Sequence, residues 1–148
     1  MSFNIERFNK VQIFWTLFLL TIITVVGMQV TGAPLKTAAA PAGIVSFELA
    51  GDLTTSLGII QSWEGQRMTW AGINMGLDFL FLLLYGITIG LGCLIVAEKL
   101  QPTQPVLSKL GPYMTLGILL AAGLDVIENG ALILLLTGST GSTLPLIA

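Results

Sequence analysis

From Val11 to Leu35 the chain carries no charged residue, and that stretch decides which solvent the fold must meet. About 20 helical residues, rising ~1.5 Å each, cover the ~30 Å hydrocarbon core of a bilayer. Two more long apolar runs follow, with bodies from Met75 to Ala97 and from Pro112 to Leu136. Hydrocarbon offers no hydrogen-bond partner, so a lone segment spans it as an α-helix. The sequence therefore predicts an all-α membrane protein with transmembrane helices over 11–30, 69–100 and 112–136, within one helical domain over 1–148.

Local punctuation agrees with these limits. Pro102 and Pro105 close the second helix, and Gly111-Pro112 suits the start of the third. Gly138-Ser139-Thr140-Gly141 ends it. Leu144-Pro145-Leu146-Ile147-Ala148 then opens another apolar run. The expectation is that the natural gene continues into a fourth helix, or that these residues rest at the membrane interface. Arg7 and Lys10 before the first run, with Ala38-Ala39-Ala40 after it, also have the look of a signal peptide and its cleavage site. The apolar run is long for a signal, so an uncleaved spanning helix is expected.

Composition supports the same class. Of 148 residues, six are Lys or Arg and eight are Asp or Glu, so 9% are charged, against roughly 25% in a soluble domain. So few charges cannot cover a water-facing surface. A net charge of −2 with scattered basic residues also leaves no footprint for nucleic acid. There is no histidine, which removes His-ligated haem, chlorophyll or zinc and His-based triads. Cys93 is the one cysteine; set in TIGLGCLIV, it reads as a small buried hydrophobe. No cofactor is identified.

The basic residues orient the chain. Arg7, Lys10, Lys99 and Lys109 fall to one side of the spans and Lys36 and Arg67 to the other. The positive-inside rule then puts the N-terminus in the cytoplasm of a bacterial inner (plasma) membrane, with residues 31–68 outside. Trp63 and Trp70 would lie at the outer interface, and Tyr113 and Trp15 at the inner one. In the outer connection, Leu49, Leu53, Leu57 and Ile60 recur at helical spacing, with Thr55, Ser56 and Ser62 facing broadly the other way. Asp52 is placed to cap a helix starting at Leu53. One or two short amphipathic helices are expected over about 42–65, packed over the bundle mouth in preference to lying on lipid.

Three of the eight acids fall inside the spans: Asp78, Asp125 and Glu128. Each would cost roughly 2.5–3.5 kcal/mol near a helix centre, so each should face protein or a cavity. Asn74, Asp78 and Tyr85 share one stripe of the second helix, and Asp125, Glu128 and Asn129 share one face of the third. Antiparallel helices would bring these carboxyls to similar depth, and Glu48 from the outer connection can reach the same place. No Lys, Arg or His inside the spans neutralises them, so at least one should be protonated, or a cation bound. Three readings stay open: hydrogen-bonded helix packing, a proton or cation site, and a polar pocket for a lipid headgroup or small molecule. No metal set is assigned.

Small residues mark candidate helix contacts: Gly72 with Gly76, Gly86 with Gly90, and Gly117 with Ala121. They suit packing inside the bundle or an interface with another subunit. No Walker loop, dinucleotide fingerprint or Ser-His or Ser-Lys nucleophile is present.

The stretches PAGIVSFELA at 41–50, LDFLF at 77–81 and AAGLDVIEN at 121–129, with Tyr85 and Cys93 between, resemble an uncharacterised family of small polytopic bacterial membrane proteins of about four helices. The resemblance implies that Glu48, Asp78, Asp125, Glu128 and Asn129 form one polar set, supports a further helix beyond the third, and brings no activity with it. The expected function is a non-catalytic accessory or structural subunit, with the bilayer and other membrane subunits or a second copy as partners. The alternatives are a proton- or cation-handling transporter using the carboxylates and, less favoured, a lipid-directed membrane enzyme.

Overall fold

The computed structural model describes residues 5–141 and 143–147, with side chains from Asn9 onward. The side chain of Arg7 and the terminal Ala148, both used in the sequence reading, lie outside the described residues. Three long helices dominate: α1 (Ile5–Gly32), α4 (Gln66–Leu100) and α6 (Leu110–Leu136). All three are long and apolar enough to cross a membrane, and the described residues contain no strand. The chain is an all-α membrane protein. Between α1 and α4 come a 3₁₀ turn (Ala33–Leu35), α2 (Ile44–Glu48) and α3 (Leu53–Ser62); α5 (Pro105–Ser108) precedes α6, and α7 (Leu144–Ile147) follows it.

The long helices settle their polar side chains internally. The hydroxyls of Thr16, Thr21, Thr31 and Thr88 each donate to the carbonyl four residues earlier, at 2.6–3.0 Å. That local bond lets threonine sit in hydrocarbon without an orphan donor. Gly138, at φ 95°, ends α6 in the left-handed conformation. The Gly138 and Ser139 N–H groups return to the Leu135 and Leu134 carbonyls at 3.0 and 2.9 Å, closing the last turn.

The chain divides into two compact units. The first joins the residues up to Ile23 with Phe81–Gly123. Here Lys10 pairs with Glu98 and the Thr21 and Thr88 hydroxyls lie 3.4 Å apart, so α1 and α4 run antiparallel. Glycines bring α4 and α6 together. A Cβ on Gly111 would lie 2.4 Å from the Ala97 Cβ and 2.9 Å from the Cys93 carbonyl oxygen, and one on Gly90 would meet Thr115 at 3.1 Å. The Thr115 hydroxyl lies 3.0 Å from the Gly90 carbonyl, across this contact. Gly86 sits against Ala122.

Of the small residues named from sequence, Gly86 and Gly90 are therefore at helix contacts. Gly72, Gly76 and Gly117 face open space within the chain, and Ala121 is exposed. The tightest contact, Gly111, stands outside any GxxxG pattern. It is set by where α6 begins.

The second unit joins Thr24–Leu80 with the residues from Leu124 onward. Its core is a cap in which Leu35, Phe47, Ile59 and Trp63 bury against Met75 of α4 and Leu132 and Leu135 of α6. Leu144 of α7 packs onto the same cluster, and Pro145 is buried. Trp63 is fully buried; its indole N–H donates to the Leu35 carbonyl at 2.7 Å, and its ring meets Phe47 edge-on at 5.4 Å. Trp63 is thus a core residue of the cap, its ring turned onto protein. Trp70 packs at the edge of the same core.

Of the apolar positions read in the connection, Leu53 and Ile60 pack against this core; the pattern is corrected at Leu49, which is 79% exposed, and at Ser56, which is buried with Phe47, Ile59 and Trp63. Gly51, at φ 70°, breaks the chain between α2 and α3, so no single helical phase runs through both. Ser56 tolerates burial because its hydroxyl donates to the Asp52 carbonyl at 2.9 Å. Asp52 does cap α3: its carboxylate accepts the Thr55 N–H at 2.9 Å and the Thr55 hydroxyl at 2.6 Å. These bonds hold the exposed Asp52 carboxyl below its usual range.

Two substitutions test this packing. Trp63→Phe keeps most of the ring and strands the Leu35 carbonyl, and should cost about 1–3 kcal/mol in detergent unfolding titrations. Gly111→Ala should lower the unfolding midpoint clearly, while Gly117→Ala should leave it unchanged or raise it. Equal effects at the two glycines would contradict the close approach of α4 and α6 at Gly111.

Candidate functional site

Within the second unit, Asn74 ties α4 to α1. It is almost fully buried, and its amide N–H₂ donates to the Met28 carbonyl at 2.8 Å and the Thr31 hydroxyl at 2.7 Å. One helical turn further along α4 lies Asp78, half-buried, which accepts a short hydrogen bond from the Asn129 amide of α6. A carboxylate and a carboxamide thus join these two helices at membrane depth. Asn129 is buried and Asp78 is partly open, so one side of the carboxyl stays accessible.

That open side faces a cavity of about 490 Å³, lined in part by Gln29, Lys36, Glu48, Asn74 and Asp78. Glu48 comes from the cap, at the last position of α2. Burial pushes its carboxyl above the usual glutamate range, and the charges of Asp78 and Glu128 push it further the same way. Both groups act on Glu48, so the α2 carboxyl reaches the same electrostatic neighbourhood as the carboxyls of the spanning helices. Asp125 is felt by both Asp78 and Glu128. Neither Asp125 nor Glu128 lines the cavity itself.

The residues named from sequence separate accordingly. Glu48, Asn74 and Asp78 share one cavity, and Asn129 is bonded to Asp78. Asn74 spends its N–H₂ on α1, so its role there is to position α4. Tyr85 belongs to the other compact unit, where its ring lies 5.0 Å from that of Phe81. Its place on the Asn74–Asp78 stripe does not by itself make it part of this cavity.

Sequence reasoning missed Lys36 and Gln29 as cavity residues. In the sequence Lys36 reads as a topological charge, because it lies one residue past the 3₁₀ turn and outside the spans; the fold puts it in the lining of the cavity. Among the described residues, no three acids are placed to hold one metal ion. Comparison with protein-family models, curated proteins and solved structures returns no match.

Asn129→Leu removes the amide that Asp78 accepts from. It should cost about 0.6–1.7 kcal/mol, the range for such bonds between membrane helices, in mixed-micelle unfolding. Glu48 carries a pH signature. Its folded-state pKa is raised, so stability is highest below the usual glutamate range and declines as pH rises through the raised value. Thermal midpoints in detergent should fall across that window, and the fall should be shallower in Glu48→Gln. Parallel profiles for the two proteins would remove Glu48 from the buried cluster.

Proposed function

We propose that this small integral membrane protein handles protons at the cavity beneath its cap, with Asp78 and Glu48 as the exchanging groups, Glu128 acting on Glu48 through its charge, and Asn129 holding Asp78 in place. One observation carries the reading: Glu48 is folded from the cap onto the cavity of Asp78 and into the field of Glu128. Helix packing alone would be served by the Asn129–Asp78 bond and needs no carboxyl brought in from outside the membrane. Among the described residues no three acids are placed to hold one metal ion, which favours protons over a metal cation. The positive-inside pattern supports placing the cap outside a bacterial plasma membrane with the N-terminus in the cytoplasm. Protons would then enter from that side.

The test is proton flux in liposomes carrying an internal pH dye. Asp78→Asn and Glu48→Gln should each slow flux by about a hundredfold, the scale of losing a positioned proton-transfer group. A protonated-carboxyl infrared band that titrates in the native protein should be lost in Glu48→Gln. Flux and band both unchanged would reject the proposal.

A second reading is an accessory subunit of a larger membrane assembly. It is favoured by Gly72 and Gly76, which leave a smooth patch of α4 open within the chain. Mild extraction followed by native gels separates the two: a lone monomer in every detergent argues against the subunit.

A further inference from the structure

The first unit contains a second concavity, unlike the cavity beneath the cap. It is a groove of about 580 Å³ along α1, α4 and α6, lined by Phe14, Phe18, Ile89, Val96 and Met114 and, where α4 ends and α6 begins, by Leu100, Leu107 and Leu110. Thr88 is the one polar side chain in its lining. The Thr88 hydroxyl already donates to the Leu84 carbonyl at 2.6 Å. The groove therefore offers an incoming ligand only apolar contact, and it lies between helices that cross the membrane.

Its leucine-rich end is flanked by charge. Lys99 adjoins Leu100, and Lys109 adjoins Leu110. Glu98 is the one acid among the described side chains of this unit, and it is taken by Lys10. That leaves Lys99 and Lys109, both exposed, with no acidic partner among the described residues. An apolar groove with two lysines next in the chain to its lining leucines, neither paired with an acid among the described residues, complements a molecule with an apolar chain and an anionic head. Basic pockets between membrane helices bind anionic lipid headgroups by the same chemistry.

We infer that this groove holds one acyl chain of an anionic phospholipid, with Lys99 and Lys109 binding its phosphate headgroup. Cys93 lines the groove and reports on its occupancy.

The experiment is native mass spectrometry of the full chain, delipidated and supplied with phosphatidylglycerol or phosphatidylethanolamine. Phosphatidylglycerol should be retained preferentially. Each lysine should account for about fivefold of that preference, so the Lys99→Gln/Lys109→Gln pair should erase most of it. Lys36→Gln, in the other unit, should not change it. Val96→Trp with Met114→Trp fills the groove from exposed positions and should lower phosphatidylglycerol retention with both lysines intact. Should any variant fail to fold, the native protein still decides: phosphatidylglycerol should slow Cys93 modification by a membrane-permeant maleimide more than phosphatidylethanolamine does.

Equal retention of the two lipids, or full selectivity in the lysine pair, would overturn the site. Undiminished binding in the groove-filled variant would reduce it to surface attraction and overturn it as well. Efficient Cys93–Cys93 crosslinking between chains would place a second copy in the groove instead.

Discussion

Hydrocarbon accepts no hydrogen bond, and the polar chemistry of this protein follows from that. Thr16, Thr21, Thr31 and Thr88 turn their hydroxyls back onto their own helices. Asn74 cannot satisfy its amide that way, because its donors reach past its own turn, so it bonds to α1. Asp78 accepts from Asn129 of α6, since the amide of Asn74 one turn away is spent on α1. The need to satisfy each group thus fixes which helix faces meet inside the second unit. Satisfying polar groups in this way orients helices, even where each bond adds only about 0.6 kcal/mol.

The cap solves a different problem. A connection rich in small and polar residues would ordinarily lie in water, where it need not hold one shape. Here Trp63 and Phe47 supply the apolar area, and the Leu35 carbonyl supplies the acceptor that a buried indole requires. Asp52 and Gly51 set where α3 begins and how it is separated from α2. With these in place, the end of α2 has a defined position, and Glu48 is held at a cavity instead of being solvated. The proton-handling proposal rests on that positioning. The same acid on a free loop would be ordinary.

The two concavities differ in chemistry as their surroundings do. The cavity under the cap mixes carboxyls, an ammonium group and carboxamides, which suits protons or small polar species. The groove of the first unit is apolar with a basic end, which suits a lipid.

Sequence alone determined the solvent, the class and the polar suspects. Three long apolar runs demand helices in lipid, because no other single-segment structure satisfies its backbone there. Acids inside those runs stand out because lipid penalises them. It also marked Asp52 as a cap, since that bond is local. Tertiary structure decided whatever depended on distant partners. Trp63 reads as an interfacial aromatic until Leu35 and Phe47 are seen around it. Lys36 reads as an orientation signal until the cap folds beside it. Gly72–Gly76 and Gly86–Gly90 are alike as patterns, yet only the second meets a neighbouring helix of this chain, because contact depends on which face a helix turns inward. Periodicity reports that a face exists; the partner that covers it is a property of the fold.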